Sequence, residues 1–163
     1  MRHNVSLPSK KPVLLLDVDG VLNVVSKDCV PRKQTLPDGH AFYPTPIVIP
    51  FMQWAWDHFH VFWLTAWFSG ANAIAKWAKL EEVPALGNPR EYGDYKLNAV
   101  QKIFGEIDIP VFWVEDGIGE RAALWVAAKK NFAYFETNPY LGLTREIVDA
   151  LADRANVPRL IVP

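Results

Sequence analysis

The chain has one cysteine, Cys29, in 163 residues. That excludes an internal disulfide and a cluster of thiolates around a metal. A lone cysteine fits a reducing compartment, and the cytoplasm is the expected setting. Excess charge is missing too. Seventeen basic residues against eighteen acidic ones leave a formal net charge of -1, which gives no general attraction to nucleic acid or to an anionic membrane, so a polyanion must be gripped by a local patch. No apolar run approaches the roughly 18 residues of a membrane span. The early apolar stretch Val13-Leu14-Leu15-Leu16 is cut by Asp17, far short of the core of a signal peptide. Internal repeats, low-complexity tracts and long linkers are absent as well.

What the chain does have is apolar mass. Half of it is hydrophobic, with tryptophan at 54, 56, 63, 67, 77, 113 and 125, most of it expected in a core because large aromatics dominate burial. This suffices for one domain over residues 1–163. Residues 1–11 read as a tail. The aliphatic run 13–16, with no polar alternation, reads as a buried strand of a parallel sheet. Residues 24–46 carry Pro31, Pro37, Gly39, Pro44 and Pro46 and read as an irregular flap with room for a hairpin.

Strand-like and helix-like patterns then alternate. A helix over 47–58 carries Phe51, Ala55 and Phe59 on one face, and a strand over 60–65 follows it. Next come a helix over 69–80, a short strand at 83–86 and a loop over 87–93. Asp94 is a good N-cap for a helix with Leu97, Val100 and Phe104 inward, ended by Gly105. A strand at 111–114, a helix over 120–130, a strand at 132–135 and a final helix behind Thr144, with Ile147, Val148 and Leu151 inward, complete the chain. The expected fold class is α/β: a Rossmann-like three-layer sandwich with five parallel strands and helices on both faces.

The chemistry collects at strand ends. Asp17-Val18-Asp19-Gly20-Val21-Leu22-Asn23 follows the first strand, Thr65 ends the second, and Glu115-Asp116 ends the fourth. Ligands of open α/β sheets gather at these carboxyl ends. In extended backbone residues i and i+2 point the same way, so Asp17 and Asp19 can face one ion and one substrate, and Gly20 lets the chain turn close to them. Lys96 lies in the first turn of its helix, where a cation opposes the helix dipole. Local stability would not choose it there, which hints at function. Several acids with one lysine and one hydroxyl suit a hard divalent cation and a phosphate.

In this set and order, the chain resembles the haloacid dehalogenase superfamily of Mg²⁺-dependent phosphotransferases. The likeness rests on Asp17-Val18-Asp19-Gly20-Val21, on Thr65 within Trp63-Leu64-Thr65-Ala66-Trp67, on Lys96 and on Glu115-Asp116. It implies that Asp17 is the nucleophile that becomes an aspartyl-phosphate and that Asp19 is the general acid, then the base for water. It further implies that Thr65 bonds the phosphate and that Lys96 neutralises developing charge. Mg²⁺ would be held by Asp17, the main-chain carbonyl of Asp19, and Asp116 or Glu115. Glu115 departs from the commoner Asp-Asp pair, which leaves open which acid touches metal.

Other readings of the same residues remain on the table. Thr65 alone is an ordinary strand residue, Lys96 a solvated helix residue, and Glu115-Asp116 an acidic turn. An EF-hand fails, because counting from Asp17 puts Gly20 at the fourth position where the loop needs glycine at the sixth. Trp67 and Phe68 serve either as core or as a stacking platform for a base. No cap domain fits between the motifs. By resemblance, capless members act on large substrates or on small ones covered by a partner subunit, so a homo-oligomer is a further expectation. The layout is similar to the 3'-phosphatase part of polynucleotide kinase-phosphatase. Gly20, Ala66, Trp67, Arg32, Lys33, His40 and Arg90, with Tyr92 and Tyr95, are the expected substrate contacts for a phosphorylated polynucleotide end. A small-molecule nucleotidase and a non-catalytic phosphate-binding domain are the alternatives.

Overall fold

The computed structural model describes residues 10–24, 33–91 and 93–162. The expectations for the tail, Cys29, Arg32 and Tyr92 therefore fall outside the described residues, wholly or nearly so. The protein is a mixed α/β structure around a parallel sheet of four strands: β1 (Val13–Leu16), β4 (His60–Trp63), β5 (Val111–Glu115) and β6 (Phe132–Glu136), in the spatial order β4-β1-β5-β6. A separate antiparallel hairpin, β2 (Gln34–Thr35) with β3 (Ala41–Phe42), lies within the expected flap.

Strand alternation divides the core. Leu14, Leu16, Val61, Trp63, Phe112 and Val114 face α1 (Val48–His58), α2 (Asn72–Trp77) and α5 (Arg145–Ala155). Val13, Leu15, Phe62, Leu64, Val111 and Trp113 face α3 (Tyr95–Phe104) and α4 (Gly119–Ala127). Every side chain of β1 is fully buried, as a strand with neighbours on both edges and helices on both faces requires. Phe51, Ala55 and Phe59 all pack inward, as do Val148 and Leu151. Asp94 caps α3 by accepting from the Leu97 N–H at 3.1 Å. Thr144 holds the N-cap position of α5, but its hydroxyl makes no capping bond.

Among the described residues the expected fifth strand does not form, and the sheet has four. Residues 83–86 reach β4 through one parallel bridge, Trp63 with Ala85. Trp63 N–H donates to the Pro84 carbonyl and Leu86 N–H to the Trp63 carbonyl, both at 2.8 Å. Longer pairing is stopped on the N-terminal side of that bridge, and the outer edge is occupied as well. Pro84 has no N–H to give, and the Val83 N–H and C=O are taken by the side chain of Asn72, at 2.8 and 3.0 Å. The expected helix over 69–80 is also shorter. A 3₁₀ turn, Phe68–Ala71, leads into α2, which ends at Trp77. Three tryptophans, Trp54, Trp63 and Trp113, are buried, while Trp56, Trp67, Trp77 and Trp125 are only partly covered.

From β1 the chain crosses to β4 on one side, and from β5 it crosses to β6 on the other. The carboxyl ends of β1 and β5 thus flank the point where strand order reverses, the place where open α/β sheets bind ligands. Among the described residues, only the hairpin and α1 separate β1 from β4, and only the 3₁₀ turn, α2 and a loop separate β4 from α3. No helix among the described residues is long and apolar enough to cross a membrane.

Candidate metal and phosphate site

Sheet register builds the site. Leu16 pairs with Val114, and the ladder continues as Asp17 N–H donates to the Val114 carbonyl at 3.2 Å. Asp17 and Glu115 are therefore the next pair across two neighbouring strands. Both follow the odd-numbered residues that face α3, the helix that carries Lys96. The Lys96 ammonium reaches both oxygens of Glu115, at 2.8 and 2.7 Å, and lies 3.2 Å from Asp17 Oδ2. An ammonium that looks misplaced on the isolated helix is thus paid for by two acids at the strand ends.

Asp17 and Glu115 are 5% and 3% exposed. Side-by-side acids so deeply buried cannot both ionise without help. Burial, then the hydrogen bond and like charge of Asp17, pushes the Glu115 carboxyl up to about 9 against the pull of Lys96. Burial works against the charge of Lys96, but the two carboxylates outweigh it and hold the ammonium above its ordinary value. Burial also pushes up the Tyr95 hydroxyl, which has no hydrogen-bond partner among the described residues.

Asp116, partly exposed, completes the cluster: Asp17, Glu115 and Asp116 each offer an oxygen within 4.8 Å of the others. Three acids crowd around one ammonium, and the pair at the strand ends cannot both carry charge without a further cation. A divalent cation would balance them, so the donor set, all hard oxygens, fits an ion of the Mg²⁺ or Ca²⁺ kind. Gly20 makes the close approach that holds Asp116 in place. Its φ is +75°, and a Cβ there would lie within 2.8 Å of the Asp116 side chain, so both conformation and space demand glycine.

The other expected residues divide into those drawn together and those left outside. Thr65 is 1% exposed just past β4, where Leu64 N–H still pairs with the Leu16 carbonyl at 3.0 Å, and its Oγ1 accepts from the Trp67 N–H at 3.3 Å. Asp19 is exposed on the loop after β1. Its Oδ1 accepts from Asn23 Nδ2 and its Oδ2 from the Trp67 indole N–H, each at 2.8 Å. Trp67 is therefore neither plain core nor a free platform, whereas Phe68 is 41% exposed. The His40 ring lies 6.0 Å from that of Trp67, which brings the tip of the hairpin beside Asp19. Ala66 is exposed beside Thr65. Lys33 and Arg90 are exposed on the hairpin and on the loop before α3, and among the described residues neither takes part in the ion pairs of the acids.

Two residues of the site had no assigned role. Asn23 links Asp19 to the flap by accepting from the Tyr43 N–H at 2.8 Å. Thr137, buried just past β6, donates its hydroxyl to the Gly20 carbonyl at 2.7 Å and its N–H to the Glu115 carbonyl at 3.0 Å, tying the two acidic loops together. Its signal in the sequence was a hydroxyl at the same sheet edge as the acids. Compared with known proteins, the chain matches no family model, no curated protein and no solved structure.

Proposed function

We propose that this chain is a Mg²⁺-dependent phosphomonoester hydrolase of the haloacid dehalogenase type, with a Rossmann-like sheet and an aspartyl-phosphate formed on Asp17. The observation that carries this reading is the contact of Lys96 with both Asp17 and Glu115, at 3.2 and 2.7 Å, beside a third carboxylate. A buried carboxylate next to an ammonium suits attack on phosphorus, because the lysine can share the charge of the phosphoryl oxygens as it develops. Both oxygens of Glu115 are engaged by Lys96, which favours Glu115 as the holder of the lysine and Asp116 as the metal ligand.

Asp17 and Asp116, with the main-chain carbonyl of Asp19, would hold Mg²⁺, and the bound ion would supply positive charge opposite the carboxylates and the phosphoryl oxygens. The protein's own groups carry the steps. An Asp17 oxygen bonds to phosphorus as the bond from phosphorus to the leaving oxygen breaks, and Asp19 gives that oxygen its proton. Asp19 then takes a proton from water as the water oxygen bonds to phosphorus and the Asp17–phosphorus bond breaks, releasing inorganic phosphate and restoring both acids. Thr65 donates its hydroxyl to a phosphoryl oxygen, and Lys96 stays paired throughout.

The uncapped sheet end, with Lys33, His40 and Arg90 exposed near it in the chain order of the flap and the following loop, favours a substrate that brings its own bulk. A polynucleotide with a 3'-phosphate would meet Lys33 and Arg90 through its flanking phosphates. The test is turnover of phosphomonoesters with and without Mg²⁺. A 3'-phosphorylated oligonucleotide is expected to exceed the matching mononucleotide in kcat/KM. Preference for the mononucleotide would make the protein a nucleotidase, and no turnover of any ester would leave a phosphate-binding domain without catalysis. Independently of activity, Mg²⁺ at 100 times its Kd should stabilise the fold by about 2.7 kcal/mol, raising the thermal midpoint by about 5–10 °C. Asp116→Asn should remove most of that shift. A midpoint indifferent to millimolar Mg²⁺ would sink the metal assignment.

A further inference from the structure

Asp19 is exposed, yet both of its carboxylate oxygens are taken by donors from different parts of the chain. An exposed acid on a loop ordinarily turns freely among waters, so two fixed donors define a plane for it. The orientation of Asn23 follows from chemistry. The Tyr43 N–H can only donate, so the amide oxygen must face it and the NH₂ group must face Asp19. The Trp67 indole has a single polar atom, which can only donate, and it spends that atom on Asp19 Oδ2 at 2.8 Å. Trp67 is itself fixed, by its main-chain bond to Thr65 and by the His40 ring against it. Each carboxylate oxygen has two lone pairs, so one on each oxygen stays free for a reacting group.

Resting on the reading of Asp19 as the group that hands a proton to the leaving oxygen, we propose that Trp67 is the positioning residue that holds Asp19 at the leaving group, with Asn23 as the second brace. Asp17 and Asp19 sit two residues apart but must meet different atoms, one the phosphorus and the other the departing oxygen. Asp17 is set by the sheet ladder and by Lys96. Asp19, beyond the ladder, is set by Trp67 and Asn23. The arrangement ties the end of β4 to the loop after β1 through one hydrogen bond from indole to carboxylate. It also places the leaving group on the side of the site bounded by Trp67 and His40.

The test is a comparison of leaving groups. Trp67→Phe keeps an aromatic ring and removes the N–H. kcat/KM reports the steps through departure of the leaving group, so the variant should lose about ten- to a hundredfold for alkyl phosphates, whose poor leaving groups need the proton. It should change by less than about twofold for dinitrophenyl phosphate, whose leaving group departs without one. An equal loss for every ester would show a merely structural role and overturn the proposal, as would no loss for any. If the parent protein hydrolysed no ester, the phosphatase reading would fail. The contact would then be decided by the indole resonance that Trp67→Phe removes from the spectrum of isotope-labelled protein. Asp19→Ala should shift that resonance, and an unmoved signal would overturn the brace itself.

Discussion

Asp17→Asn should lower phosphoester turnover by about four orders of magnitude or more while leaving the protein folded. The amide has nearly the same shape, so the ladder bond from the Asp17 main chain to Val114 and the packing of β1 are untouched. What is lost is the charged oxygen that attacks phosphorus, together with one of the three carboxylates that converge on the metal position. Stability should move little, and upward if at all in metal-free buffer. Asp17 is both a partner of Lys96 and the neighbour that pushes Glu115 up to about 9, so removing its charge relieves repulsion while Lys96 keeps Glu115. Steady-state kinetics and a thermal melt check both halves. Retention of more than about a tenth of the parent activity would refute the assignment of Asp17.

The second large effect belongs to Lys96. Lys96→Met removes the ammonium that faces Asp17 and Glu115, and no other described cation pairs with either acid. Turnover should fall about a thousandfold through lost charge stabilisation. Stability should fall by about 3 kcal/mol, because breaking a buried pair by deleting one partner leaves the other charge uncompensated. Part of the cost is spared because Glu115, pushed up to about 9 even beside the ammonium, stays neutral without it. Adding Glu115→Gln to Lys96→Met removes the acid that crowds Asp17 and should return part of the lost stability and none of the lost turnover. Denaturant titration of the two single variants and the double variant measures this coupling. A single lysine variant as stable as the parent would mean that the ion pair contributes nothing, and recovery of turnover in the double variant would mean that Lys96 acts only through Glu115.

Where sequence and structure agree, the information was local. An aliphatic run followed by Asp17, a strand ending in Glu115, and Asp94 ahead of a helix with apolar residues at helical spacing each state their own structure within a few residues. Register then does the rest, because parallel strands of matched length place Asp17 beside Glu115 without any further instruction. Where they disagree, a distant side chain intervened. Residues 83–86 have the composition of a strand, but Pro84 lacks the N–H that would extend the pairing with β4, and the Asn72 side chain takes the polar groups of Val83 on the outer edge. The long helix expected after Thr65 starts instead as a 3₁₀ turn at Phe68, whose φ is +49°, and the chain turns again at Lys79 with φ +61°. The bonds from Trp67 to Asp19 and from Thr137 to Gly20 join segments far apart in the chain, and no periodicity encodes such pairs. Trp67 was visible only as an aromatic beside Thr65, and its N–H acquired a role only once the loop after β1 lay against it.

The proposed chemistry requires Asp17 to carry the phosphoryl group. The most direct measurement mixes the protein with a phosphomonoester and Mg²⁺, quenches in acid within one turnover, reduces with borohydride and locates the modified residue by mass spectrometry of the digest. An acyl phosphate is reduced to the alcohol while a free carboxylate is not, so homoserine is expected at position 17 and nowhere else, and only when substrate is present. Turnover that proceeds with Asp17 unmodified at every quench time, or with the reduced residue at another position, would contradict the account.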